Sequence, residues 1–364
     1  MSTLLKDRYN KKFFDDLGTG LSAVIKDYKH KDFVKKIRKS PWKQLELKDR
    51  MKRIARELAQ ILPSDYAKAI VVFEKICEKL RVFEDYGLEF MFLPEFIEAN
   101  GLEYFEESMK AMEKITSLTS CEFAIRPFII KYPKKSISRL IKWSKHKDLH
   151  VRRLSSEGSR SRLPWAIALP EFKKDPRAIL PILENLKNDS SEYVRRSVAN
   201  NLNDISKDNP QLFIKTVKPW LGKNKELDAV VKHGARTLLK AGDDRIFALY
   251  GINPKGIKIC QLVVPAKVKI GQKLTFEFEI TNTIKSEKYV RLEYSVYFLL
   301  KNGKLSKKVY KISEGPYAKQ EQKLVQRFHN FKIITTKKYY PGLHELAIIV
   351  NGKEIEKKSF VLEA

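Results

Sequence analysis

The fold is decided by the stretch Val151-Arg152-Arg153-Leu154-Ser155-Ser156-Glu157-Gly158-Ser159-Arg160-Ser161-Arg162-Leu163-Pro164-Trp165. A later segment opens the same way, with Val194-Arg195-Arg196. There Val194, Val198, Leu202 and Ile205 recur at helical spacing and form an apolar stripe. Moved back by the 43 residues that separate the two openings, the stripe becomes Val151, Ser155, Ser159 and Arg162. One helix of a repeating set has therefore exchanged apolar residues for hydroxyls, arginines and a carboxylate. A polar surface of that kind requires a polar partner. Four arginines and four serines point to phosphate, and the lone Glu157 among them points to chemistry.

Outward from this stretch, the chain up to about residue 250 reads as helix after helix. Met51, Ile54, Leu58 and Leu62 share one face of a helix over 49–62, and Ile70, Phe73 and Ile76 mark another over 64–80. Further helical patterns fall near 100–116, 119–131, 134–146, 148–162, 175–187, 190–206, 208–222 and 226–241. Pro63, Pro133, Pro164, Pro176 and Pro210 punctuate them. Val231-Lys232-His233 supplies a third opening, 37 residues after the second. Pairs of helices at such a spacing predict a HEAT-type solenoid over 1–253.

The period changes near 256. Phe276, Phe278 and Ile280 alternate with Glu277 and Glu279. Asn302-Gly303 and Asn351-Gly352 are hairpin signals. Seven strands, over 257–264, 274–281, 289–300, 309–312, 323–333, 343–350 and 354–362, predict an immunoglobulin-like sandwich over 257–364. The fold class is thus multidomain, α then β: a HEAT-like helical solenoid followed by an immunoglobulin-like β-sandwich.

The net charge is +28, with 43% hydrophobic residues. A globular protein so basic suits a polyanion, nucleic acid before an anionic membrane surface. Both parts share the charge: 257–364 holds 21 basic against 10 acidic residues. Cys77, Cys121 and Cys260 lie far apart without metal-ligand spacing and read as reduced thiols. The first residues are charged from Lys6 onward without an apolar signal core, and no run suits a membrane span. A cytoplasmic monomer without membrane attachment is expected. Gly-rich phosphate loops, zinc patterns and Ser-His-Asp elements are absent, so no metal or nucleotide cofactor is expected.

Glu157 has Arg153 at i−4 and Arg160 at i+3, both within reach on one helical face. Positive neighbours favour the charged form of a carboxylate, which makes it a poor general acid but suits it to stabilising a developing cation or orienting water. Glu122, in the helical run Thr119–Ile130, stands among apolar residues and needs a partner, which Arg126 one turn on is placed to supply. Trp165 after Pro164 reads as a helix start at the edge of the polar surface, able to stack on a base or sugar. Tyr193, Ser197, Asn200 and Asp204 form a polar stripe that extends this surface.

These residues resemble the AlkC-type alkylpurine DNA glycosylases, relatives of AlkD in the HEAT-like repeat glycosylase superfamily. The likeness covers essentially the whole chain. It is most specific in Leu118–Pro127, in Val151–Trp165 and in Val194–Asp204. The resemblance implies a glycosylase that removes cationic alkylated bases such as 3-methyladenine and 3-methylcytosine from double-stranded DNA. It also implies catalytic roles for Glu122, Glu157 and Trp165. The Trp-Asp pair associated with AlkD is missing, which favours the AlkC branch. Asp204 joins the catalytic set through the polar stripe. Arg152, Arg153, Arg160, Arg162, Arg195, Arg196 and Asn200 are candidates for DNA contact. Lys301 and Lys304 beside the Asn302-Gly303 turn are others, on a second domain acting as the other jaw of a clamp. The competing reading is a non-catalytic HEAT-repeat scaffold for nucleic acid or protein. A scaffold has no need of Glu157 on a surface meant for phosphate. An immunoglobulin-bearing adhesin is the third reading, opposed by the missing export signal.

Overall fold

The computed structural model describes residues 4–333 and 338–364. Its helices are α1 (Lys11–Ser22), α2 (His30–Arg38), α3 (Leu47–Ala59), α4 (Tyr66–Leu80), α5 (Phe92–Asn100), α6 (Phe105–Ile115), α7 (Ile125–Lys131), α8 (Pro133–Trp143), α9 (Leu149–Gly158), α10 (Pro170–Lys174), α11 (Leu180–Leu186), α12 (Glu192–Asp208), α13 (Pro210–Val217), α14 (Lys225–Gly234), α15 (Arg236–Ala241) and α16 (Asp244–Leu249). The chain divides into two compact units. One holds Met1–Phe213 and Trp220–Gly234, the other Ile214–Pro219 and Ala235–Ala364.

In the first unit α12 packs between α9 and α14, while α11 touches α8, α9 and α12. The two segments related by their Val-Arg-Arg openings are therefore neighbours in one layer. The apolar stripe of α12 is core: Val194, Val198, Leu202 and Ile205 are all buried. The third opening behaves differently. Val231-Lys232-His233 closes α14 instead of beginning it, because that helix starts at Lys225. On α9, Asp148 caps the N-terminus by accepting from the His150 amide at 2.7 Å. Val151 and Leu154 anchor the helix in the core. Its C-terminus presses on α7: a Cβ on Gly158 would stand 2.6 Å from Cγ2 of Ile125, so only glycine allows this approach.

Two helix expectations need correction. Residues 119–124 are not helical, and Glu122 lies in the turn ahead of α7. Trp165 does not start a helix either. It sits in a turn with φ +66°, and the next helix begins only at Pro170. Pro164 presets one backbone angle but does not provide the carbonyl ladder a helix needs.

The second unit contains eight strands: β1 (Ile257–Val263), β2 (Lys267–Lys269), β3 (Lys273–Asn282), β4 (Lys288–Leu299), β5 (Leu305–Tyr317), β6 (Gln322–Asn330), β7 (Gly342–Val350) and β8 (Lys353–Glu363). They form a three-stranded sheet, β1-β3-β6, and a five-stranded sheet, β2-β8-β7-β4-β5. Alternation on β3 places Leu274, Phe276, Phe278 and Ile280 in the core against Val290, Leu292 and Val296 of β4. The short β2, with one buried residue among its three, is too brief a run for its alternation to stand out in the sequence. It pairs in parallel with β8 at a sheet edge. Asn351 and Gly352, with φ +48° and +82°, make the two-residue turn expected between β7 and β8. The Asn302-Gly303 connection is longer, closed by the Leu300 amide on the Lys304 carbonyl at 2.9 Å.

Candidate functional site

The polar stretch of α9 is mostly inside the protein. Ser155, Ser156, Glu157, Ser159, Arg160 and Ser161 are all buried. The helix keeps its shape because its hydroxyls bond locally. Ser155 donates to the Arg152 carbonyl at 2.7 Å, and Ser159 to the Ser155 carbonyl at 2.8 Å. Asn201 of α12 donates to the Ser156 carbonyl at 2.8 Å, joining the two helices.

Three carboxylates are gathered by two arginines. Arg153 bonds Glu122 through Nη1 and lies 3.7 Å from Glu157 through Nη2. Arg160 donates from Nη1 to Oε1 of Glu157 at 2.6 Å and from Nε to Oδ2 of Asp204 at 2.8 Å. Ser197 donates to the other oxygen of Glu157 at 2.6 Å. Lys207 reaches the second oxygen of Asp204 at 3.2 Å. Glu157 and Asp204 therefore have both oxygens engaged, with side chains 5% and 1% exposed. Glu122 is more open, at 16%. Its Oε2 accepts from Ser120 at 2.6 Å and from Arg153, while Oε1 has no hydrogen-bond partner among the described residues. Burial alone would lower the pKa of Arg153, but Glu122 and then Glu157 outweigh it and hold the guanidinium above its ordinary range. Arg160 is raised in the same way, against burial, by Glu157 and Asp204. The ring of Tyr193 stacks beneath Arg153, 5.1 Å from its guanidinium carbon.

Arg126 does not serve Glu122. It is buried and turned toward the backbone, donating to the carbonyls of Gly158, Arg160 and Ile167 at 3.1, 2.7 and 2.5 Å. Burial, followed by the neighbouring charge of Arg160, brings its pKa down to about 10. Glu122 pairs with Arg153 instead, because the turn ahead of α7 faces α9.

The remaining candidates are spread around this centre. Arg152 grips Asp189 through two bonds of 2.6 and 3.0 Å. Arg162, at the surface, grips Asp208 at 2.7 and 2.6 Å. Arg195 donates to the carbonyls of Asp189 and Ser190 at 2.6 and 2.9 Å. Asn200 is half-buried on α12. Arg196 is exposed, without an ion pair among the described residues, in a groove of mixed charge that it shares with Arg195, Lys225 and His233 and with Glu192 and Glu226. Lys301 and Lys304 are exposed on the β4–β5 turn of the second unit.

Trp165 is 58% exposed. Its left-handed backbone costs an L-residue roughly 1–2 kcal/mol, so neighbours must hold it. Lys48 does so from α3, donating to the Trp165 carbonyl. Met51, Met91, Pro94 and Phe123 line a cleft beside the indole, with Glu95 and Glu98 on its α5 side. Burial, and then Glu95, push the Glu98 carboxyl up to about 7. Lys48 is missing from the candidates of the sequence reading, since nothing local marks a lysine for a carbonyl 117 residues away. Among the described residues no group of three His, Cys, Asp or Glu side chains is placed to hold a metal ion, and no helix is long and apolar enough to cross a membrane.

Comparisons with known proteins bear on both units. Residues 32–238 match the family described as DNA alkylation repair enzyme. Residues 258–364 match the C-terminal Ig-like domain of the uncharacterised protein YhaZ. YhaZ of Bacillus subtilis (strain 168) is 40% identical over 358 residues, 98% of either chain. The structure of Pseudomonas fluorescens alkylpurine DNA glycosylase AlkC, bound to DNA containing an abasic site analog, superposes with a TM-score of 0.93. It is 32% identical, over 100% of both chains. This chain belongs to the DNA alkylation repair enzyme family, with an AlkC-like helical region followed by an immunoglobulin-like domain.

Proposed function

We propose that the protein is a monofunctional DNA glycosylase that hydrolyses the N-glycosidic bond of cationic alkylated bases, 3-methyladenine and 3-methylcytosine among them, in double-stranded DNA. The observation that carries this reading is the carboxylate cluster itself. Glu122, Glu157 and Asp204 are gathered around Arg153 and Arg160, and the turn that carries Glu122 continues into Phe123, which lines the cleft of the exposed Trp165. A scaffold gains nothing from burying two carboxylates, Glu157 and Asp204, at such desolvation cost.

An alkylated base that already carries positive charge leaves without protonation. The C1′–N bond breaks with its electron pair on the base, which becomes neutral, and the sugar acquires oxocarbenium character. Fixed carboxylates stabilise that cation electrostatically. Water then bonds to C1′ and loses a proton to the surrounding solvent. Glu122 is the carboxylate fitted to hold this water, because one of its oxygens is uncommitted. Glu157 supplies the fixed negative charge. Asp204, almost wholly buried, acts through Arg160. No lysine nucleophile is required.

Phosphate contact is assigned first to Arg196, whose charge is not spent on a carboxylate. Arg153 and Arg160, with donors committed to carboxylates, order the cluster. Lys301 and Lys304 give the second domain an exposed basic tip for the backbone. The direct experiment incubates the protein with methylated DNA and measures free 3-methyladenine. Release by the wild-type protein supports the reading. DNA binding without release would favour the scaffold.

A further inference from the structure

We propose that Arg126 from inside and Lys48 from outside are the positioning residues for Trp165, setting where the indole stands in the cleft that it shares with Met51, Met91, Pro94 and Phe123. The consequence for activity rests on the glycosylase reading above; the geometry does not.

The segment between the end of α9 and α10 contains no helix or strand. Its internal backbone bonds are few: Ala166 to the Leu163 carbonyl at 3.4 Å and Leu169 to the Ser161 carbonyl at 3.1 Å. A segment so sparsely bonded does not fix a tryptophan at φ +66° by itself. Arg126 supplies the constraint. It binds the carbonyls of Gly158 and Arg160 where the segment leaves α9, and that of Ile167 just past the tryptophan. One rigid guanidinium thus gathers both ends of the excursion that displays Trp165. The planar fork matters, since a lysine ammonium is a point charge on a flexible stem and does not reproduce three directed bonds.

Lys48 completes the hold. Its ammonium donates to the Trp165 carbonyl and lies 5.6 Å from the centre of the Phe123 ring. The same arginine also seats Glu157. It binds the carbonyl of Gly158, the next residue along α9, where Gly158 already meets Ile125. Carboxylate and indole are therefore referenced to one side chain.

The test exploits the tryptophan inventory. Trp42, Trp143 and Trp220 are buried, so acrylamide quenching of the full-length protein reports on Trp165. Arg126→Lys is expected to steepen the quenching slope, leave DNA affinity unchanged and lower single-turnover base release by about 10²-fold, the scale expected of a misplacement near 1 Å. A folded Arg126→Lys with wild-type quenching overturns the proposal, whether or not its rate falls. If that variant does not fold, Lys48→Met decides. This exposed substitution removes the outer tether, and unchanged quenching overturns the proposal, whereas a steeper slope with slower release supports it. Should the wild-type protein release no base at all, the glycosylase reading fails while the quenching comparison still decides the tether.

Discussion

Ser197 donates a 2.6 Å hydrogen bond to Oε2 of Glu157, joining α12 to α9 at the carboxylate. The two helices carry the same Val-Arg-Arg opening, and the fold has laid them side by side. A hydroxyl from one repeat thus orients the acid of the other, and Arg160 fixes the remaining oxygen. Glu157→Gln keeps the shape and removes the charge. Single-turnover base release is expected to fall by roughly 10²-fold or more, with DNA binding retained. Ser197→Ala loses one hydrogen bond to a charged group, about 1.5–3 kcal/mol, and should slow release less. Near wild-type rates in Glu157→Gln would remove this residue from the mechanism.

Glu122 faces Arg153 and has one oxygen without a hydrogen-bond partner among the described residues, the one that the proposed mechanism gives to water. Glu122→Gln is expected to lose activity on the same scale while the melting temperature changes little, because the side chain is partly solvated. A lowered melting temperature with activity kept would make Glu122 a structural partner of Arg153.

The arginines divide into two classes that binding and stability measurements separate. Arg196→Ala should weaken binding to damaged and undamaged DNA alike and flatten the salt dependence by roughly one unit of log–log slope. Arg160→Ala should instead destabilise the fold by about 3–5 kcal/mol, because Glu157 and Asp204 lose their shared partner while buried. An unchanged salt slope in Arg196→Ala would place the phosphate track elsewhere.

Lys301 and Lys304 flank a turn closed by the Leu300–Lys304 bond and by the +77° φ of Gly303. Replacing both lysines by Ala is expected to leave the sandwich folded, since both are exposed, and to lower DNA affinity. Equal affinities in fluorescence titrations would leave this turn without a part in binding.

Glu98 gives a pH signature. Its carboxyl stands at about 7 in the folded protein against 4.5 without the fold, through burial and then Glu95, opposed by Lys52 and Lys48. Between these values the folded state holds a proton that the unfolded state has released. Stability therefore falls as pH rises through this window, and the loss is complete above the folded value. Glu98→Gln abolishes this contribution. Relative to wild type, its melting temperature is expected to be higher at about pH 8 and close to equal near pH 4.5. Equal differences at both pH values would show that Glu98 is not desolvated.

The sequence by itself determined the architecture, and it singled out Glu122, Glu157 and Asp204, which the fold gathers around Arg153 and Arg160. Apolar period, turn chemistry and the exchange of a core stripe for Ser, Arg and Glu are local properties of the chain, and each follows from backbone geometry. Helical spacing also set Arg153 and Arg160 against Glu157, but it did not determine who partners whom between elements. Arg126 lies one turn from Glu122 in sequence yet binds three backbone carbonyls, while Glu122 meets Arg153, 31 residues away. Arginines that read as a phosphate surface prove in several cases to be committed to Asp189, Asp208, Glu157 or Asp204. Trp165 takes a left-handed turn held by Lys48, not a helix start. The physical reason is common to all of these. A charged side chain carries no directional preference along the chain, and its partner is fixed only when packing removes water and leaves a single complementary group within reach.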